Sequence, residues 1–226
     1  MASSYQRNLS THAEAVRANL SSSDPLNDAS VNRDGVPQPF FSSSIHTEQS
    51  WPLLDGADGT FQALALMAAA VRGECPPDYS GYSDPYIRAA AARIITAYGK
   101  GYSAEAALQA LFSFCRDAIA YLDHPWNVQQ VQDARRTLER MTGDCVSKSV
   151  CLTTLLATQG IISRFVAQAP TGNEFNHVYV EALTAQGWIG LDPVASGTMG
   201  RPFGEIGWRQ ALPDYGFETS SEIFHG

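Results

Sequence analysis

Residues 143–160 read Gly-Asp-Cys-Val-Ser-Lys-Ser-Val-Cys-Leu-Thr-Thr-Leu-Leu-Ala-Thr-Gln-Gly. Asp144 is a strong helix N-cap and Gly160 a strong C-terminal stop, so the spacing predicts a helix over 144–159. Its body, Val150 to Ala157, is mostly apolar, which places the helix at the centre of the molecule. Cys145 then falls in the first turn. There the free N–H groups and the positive end of the helix dipole favour thiolate over thiol and can hold an oxyanion. An arbitrary free Cys is usually a small buried hydrophobe. The helix-start position is what raises Cys145 above Cys75, Cys115 and Cys151.

The stretch that follows is β-rich. Ile161 to Gln168, Asn176 to Leu183 and Gly187 to Asp192 read as strands. In the second, His177, Tyr179 and Glu181 share one face and Val178, Val180 and Ala182 the other; in the third, Trp188 and Asp192 oppose Ile189 and Leu191. A symmetric hairpin centred between Thr184 and Ala185 sets His177 directly opposite Asp192, with Cβ atoms about 5 Å apart. An Asp there accepts from one ring nitrogen of His177 and leaves the other for a thiol. Taken singly, a strand His and an Asp before Pro193 are commonplace. Matched across a hairpin and preceded by a helix-start Cys, they form a candidate Cys145–His177–Asp192 triad.

Upstream the pattern is helical. Asp58 or Thr60 is expected to cap a helix to about Arg72. Asp84-Pro85 starts a helix that stops at Gly99. Ser103 caps a helix to about Leu122, with Ala107, Leu108, Leu111, Phe112, Cys115 and Ile119 at helical spacing. A polar helix or turn is expected around Val128 to Met141. Helices first and strands later is the α+β pattern. The tail after Pro193 is Gly-rich and is expected to wrap the surface. Residues 1–57 are rich in Ser, Asn, Asp and Pro and read as an extended polar arm with one short helix between Thr11 and Leu20; residues 58–226 form the domain.

The ordered blocks Gly143-Asp144-Cys145, Leu155-Leu156, Gly160-Ile161, Arg164-Phe165-Val166, Asn176 to Glu181, Gly187-Trp188-Ile189 and Leu191-Asp192-Pro193 together resemble the transglutaminase-like superfamily core, over roughly residues 128–194. In style they are similar to small bacterial and prophage-encoded members. The resemblance implies a papain-like cysteine protease core, a helical N-terminal half packed on an antiparallel sheet, with Cys145 as nucleophile, His177 as base and Asp192 as orienting acid. Val131-Gln132-Asp133-Ala134 and Thr137-Leu138 also resemble the segment leading into that Cys, which puts Gln132 beside the Cys145 backbone as an oxyanion ligand. Two blocks depart from the pattern: Ile162 and Ser163 stand where a Pro usually follows Gly-Ile, and Val146 and Ser147 where many relatives are acidic. No acidic cluster resembles a calcium site.

Composition narrows the classes. A net charge of −8 with 17% charged residues suits neither nucleic acid nor an anionic membrane surface. No apolar run has membrane-spanning length and no secretory leader is read at Met1, so the expectation is cytoplasmic synthesis. Neither C-x-x-C pairs nor zinc-ligand spacing occur, and no cofactor or metal is expected. The expected partner is a protein or peptide substrate whose amide carbonyl meets Cys145, with hydrolysis slightly favoured over crosslinking. The competing expectation is structural: a component of a larger assembly, such as a phage particle, that uses the fold as a scaffold and orders the polar arm. Trp188 is expected beneath His177, with Trp51, Trp126 and Trp208 closing the cleft or filling space.

Overall fold

The structure, a computed structural model, describes residues 52–74, 79–101, 103–123, 130–169, 175–194 and 198–200, and the backbone of 208–213 and 222–225. Almost all of the polar arm, Cys75, Trp51, Trp126 and the short helix expected at Thr11–Leu20 lie outside these residues. Helix α1 spans Gly56–Arg72, α2 Pro85–Tyr98 and α3 Ala104–Asp117. Strand β1 (Ala120–Tyr121), helix α4 (Ala134–Arg140) and strand β2 (Thr142–Gly143) lead into α5, Cys145–Thr158. Strands β3 (Ser163–Gln168), β4 (His177–Thr184), β5 (Gly187–Leu191), β6 (Trp208–Pro213) and β7 (Glu222–His225) follow.

The last five strands form one antiparallel sheet in the order β5-β4-β3-β6-β7, so the chain is α+β with its helices ahead of its sheet. Helix α5 is the axis of the core. It packs against α1, α2, α3 and α4 on one side and against β3 and β4 on the other. Every residue from Val146 to Leu156 is buried, and several of its polar side chains bond backbone carbonyls. Thr154 Oγ1 donates to the Val150 carbonyl at 2.7 Å, and Ser149 Oγ to the Val178 carbonyl at 3.4 Å. Gly160 carries the left-handed φ of 69° that ends this helix region and turns the chain towards β3.

Four expectations are corrected. Helix α1 begins at Gly56 behind Asp55, earlier than a cap at Asp58 or Thr60; Asp58 sits in its first turn, and Thr60 Oγ1 donates back to the Gly56 carbonyl. Helix α3 stops at Asp117 instead of Leu122, because Ala120 and Tyr121 leave to pair in parallel with Thr142 and Gly143. The tail supplies strands: β6 lies along β3 and β7 along β6. Weak alternation in Trp208–Pro213 hid this from the sequence.

The fourth correction concerns the β4–β5 hairpin. A two-residue turn at Ala185–Gln186 pairs Thr184 with Gly187 and Val180 with Leu191. This register is offset by two from the expected one, so His177 and Asp192 are diagonal instead of directly opposed. An offset of two leaves each side chain on its own face of the sheet; an offset of one would have separated the pair.

Candidate active site

Asp144 caps α5 as expected: its Oδ1 accepts the Ser147 N–H at 2.7 Å and its carbonyl accepts the Lys148 N–H at 2.9 Å. Cys145 is therefore the first helical residue. Gly143 lets β2 run tightly over this turn, since a Cβ there would sit 2.8 Å from the Ser147 Cβ. On the sheet side, His177 opens β4, and its Nε2 lies 2.8 Å from Oδ2 of the fully buried Asp192. The other carboxylate oxygen accepts the Val194 N–H at 3.0 Å, so both Asp192 oxygens are held. With Asp192 ionised, Nε2 carries the ring proton and Nδ1 is the basic nitrogen. Cys145 and His177 line one cavity of about 250 Å³.

The electrostatics of the thiol differ from the expectation. Burial first, and then the Asp144 carboxylate, push the Cys145 thiol up to about 12; the backbone N–H groups of Val178 and Val146 oppose this without reversing it. Desolvation and a neighbouring anion outweigh the helix start, so the resting group is a thiol. Asp144→Asn isolates one of these causes. Asn caps a helix as well as Asp does, so the fold should persist while the thiol falls in pKa. Alkylation of Cys145 by iodoacetamide at pH 8 should then be several-fold faster than in the parent, read by peptide mass spectrometry.

Gln132 does not face the cavity. Its Nε2 donates to Thr137 Oγ1 at 3.0 Å and to the Thr142 carbonyl at 3.2 Å, while its Oε1 accepts from Arg140 at 3.2 Å. It braces α4 against β2 and reaches the site only through the backbone it steadies. Trp188 is not beneath His177 either. It pairs with Leu183, stands 40% exposed and carries the Arg164 guanidinium 4.1 Å above its ring. Arg164 in turn bonds Glu181 at 2.9 Å across β3 and β4.

Lys148, which no pattern in the sequence marks, sits one turn after Cys145 at 1% exposure. Its ammonium donates to the Ile119 carbonyl at 2.8 Å and the Arg116 carbonyl at 3.3 Å, at the C-terminal end of α3. That is the negative end of the α3 dipole, which favours a cation. Cys115 and Cys151 are buried free thiols away from the cavity.

A central helix with a first-turn Cys, set against a hairpin that carries a His–Asp pair, defines a transglutaminase-like, papain-like core. Residues 88–193 match the profile of the transglutaminase-like superfamily. No curated protein matches the chain in sequence. Solved structures with a similar fold include a candidate protease from Parabacteroides distasonis, at 13% identity and a TM-score of 0.47, covering 72% of this chain and 31% of that one. A candidate cysteine protease from Cytophaga hutchinsonii is 14% identical with a TM-score of 0.36, over 62% of this chain and 51% of that one. A Rad4–Rad23 complex crosslinked to undamaged DNA contains a third, at 10% identity and a TM-score of 0.41, over 73% and 48%. The chain thus spans between 31% and 51% of the length of these structures. Among the described residues no helix is long and apolar enough to cross a membrane.

Proposed function

We propose that the protein is a cysteine-dependent enzyme acting on protein or peptide amides through a thioester, with hydrolysis favoured over crosslinking. One observation carries the proposal: Cys145, at the start of α5, shares a cavity with His177, whose Nε2 is bonded to a buried carboxylate.

Because the resting sulfur is a thiol, proton loss accompanies attack. His177 Nδ1 takes the Cys145 proton as Sγ bonds to the amide carbonyl carbon. Asp192 stabilises the imidazolium that forms. Free N–H groups at the start of α5 hold the oxyanion. Collapse breaks the C–N bond, the imidazolium gives its proton to the departing amine, and a thioester remains on Cys145. Water activated by His177 Nδ1 then attacks the thioester, releasing a carboxylic acid and restoring the thiol. An amine acceptor in place of water would give an isopeptide bond instead.

Cys145→Ala tests this directly. Incubation with a mixed peptide library, followed by mass spectrometry, should show new N- and C-termini with the parent and none with the variant, while both melt at similar temperatures. Products gained by amine transfer in place of cleavage would move the assignment to crosslinking. A parent protein that neither cleaves nor couples any peptide, and whose Cys145 resists iodoacetamide, would favour the scaffold reading.

A further inference from the structure

The cavity beside Cys145 has a chemical bias that the catalytic groups do not explain. Its walls come from α1 and its lead-in on one side and from Val131, Val146, Phe175 and Val178 on the other. Leu64 and Met67 form the inner wall, both almost wholly buried. Among the described lining residues none is an Asp, Glu, Lys or Arg, and Asn176, at the exposed edge, is the one carboxamide. Thr60, one of the few polar residues in the lining, already donates its hydroxyl to the Gly56 carbonyl.

The Pro52–Leu54 side of the rim is apolar too, and it is built. Gln62 clamps the Pro52–Leu54 segment from α1: its Oε1 accepts the Leu54 N–H at 3.1 Å, and its Nε2 donates to the Pro52 carbonyl at 3.3 Å. The segment lies so close to the helix that a Cβ at Gly59 would run into the Leu54 carbonyl. Held there, Leu53 and Leu54 remain 40% and 65% exposed at the mouth of the cavity.

We propose that this cavity is a side-chain subsite for a leucine-, methionine- or phenylalanine-sized residue lying within two residues of the scissile amide. The substrate is then a peptide or protein carrying such a residue, not a glutamine side chain. The proposal rests on Cys145 being the nucleophile and deepens that reading. Size agrees: about 150 Å³ of apolar cavity holds a benzene ring, and about 250 Å³ is present here. Chemistry agrees as well. A glutamine carboxamide brings two N–H donors and an acceptor that must each be satisfied once water is expelled, and a charged side chain would find no counter-charge among the described lining residues. An aliphatic or aromatic side chain loses only its hydration.

The test uses N-acetyl-tripeptide chloromethyl ketones with Leu, Phe, Gln or Glu at either of the two positions nearest the electrophile. The rate constant for Cys145 alkylation is read by peptide mass spectrometry, with iodoacetamide as a probe that needs no subsite. At one of the two positions Leu and Phe should exceed Gln and Glu by about tenfold or more. Ala63 lines the cavity, so Ala63→Phe should bring the Leu-to-Gln ratio to about one; Ala63→Leu serves if the larger side chain disturbs the fold. Equal rates across the set, or a fastest Gln probe, would overturn the subsite while His177-dependent iodoacetamide labelling left the catalytic reading standing. Should Cys145 prove unreactive to every probe, titration of N-acetyl-leucine and N-acetyl-glutamine peptide amides by NMR decides the subsite alone. Leu-selective binding lost in Ala63→Phe supports it, and equal binding removes it.

Discussion

Replacing His177 with alanine should lower Cys145-dependent amide turnover by roughly 10²–10⁴-fold, the range for a positioned general base. Here the upper part of that range is expected, for a reason specific to the site. Burial and Asp144 hold the Cys145 thiol up at about 12. At pH 7 the thiolate fraction of a group with that pKa is on the order of 10⁻⁵, so the parent depends on a base that takes the proton during attack. The variant has none. Its alkylation by iodoacetamide should therefore track the thiolate alone and rise about tenfold per pH unit between pH 7 and 10. The parent should be faster at pH 7 and climb less steeply, because His177 Nδ1 accepts the proton. Identical rates and slopes in the two proteins would show that the imidazole does not act on Cys145 and would remove it from the mechanism.

The architecture was legible where local chemistry decides structure. Asp84-Pro85 and Ser103 mark helix starts through their own side chains, which accept from Tyr86 and Ala106 N–H groups. Asp144 does the same for α5, and Gly160 ends it. The shared face of His177 and Asp192 was legible because strand alternation has period two. Turn geometry fixed the register instead, and it displaced the pair to a diagonal.

What the sequence hid was set by distant partners or by solvent. Helix α3 ends early because a strand more than 20 residues onward captures Ala120 and Tyr121. Gln132 turns away from the cleft because Thr137, Thr142 and Arg140 satisfy its carboxamide. Trp188 is drawn outward by Arg164, itself fixed by Glu181. The state of the thiol reverses because desolvation is a property of the packed molecule, whereas a helix start is a property of the sequence. In each case the residue type was read correctly and its surroundings were not.

Lys148 is the extreme instance, and its removal should have the largest effect on stability. A buried ammonium bonded to the Ile119 and Arg116 carbonyls ties α5 to the end of α3. Lys148→Ala leaves two carbonyls without their donor and a hole against α5. A loss of about 3–5 kcal/mol is expected, or roughly 6–20 °C in melting temperature for a chain of this size. Lys148→Met fills the space without the charge and should lose less. The two substitutions also separate packing from ionisation. Burial lowers the Lys148 pKa from 10.5, so near and above its folded-state value the native protein binds fewer protons here than the unfolded chain. Stability contributed at this site must then rise as pH increases from the folded pKa towards 10.5, where the cost of burying the charge has gone. Thermal melts between pH 7 and 10.5 should show the parent gaining on Lys148→Met across that window. Parallel curves would mean that the ammonium pays no net desolvation cost, because the α3 carbonyls and dipole compensate it fully.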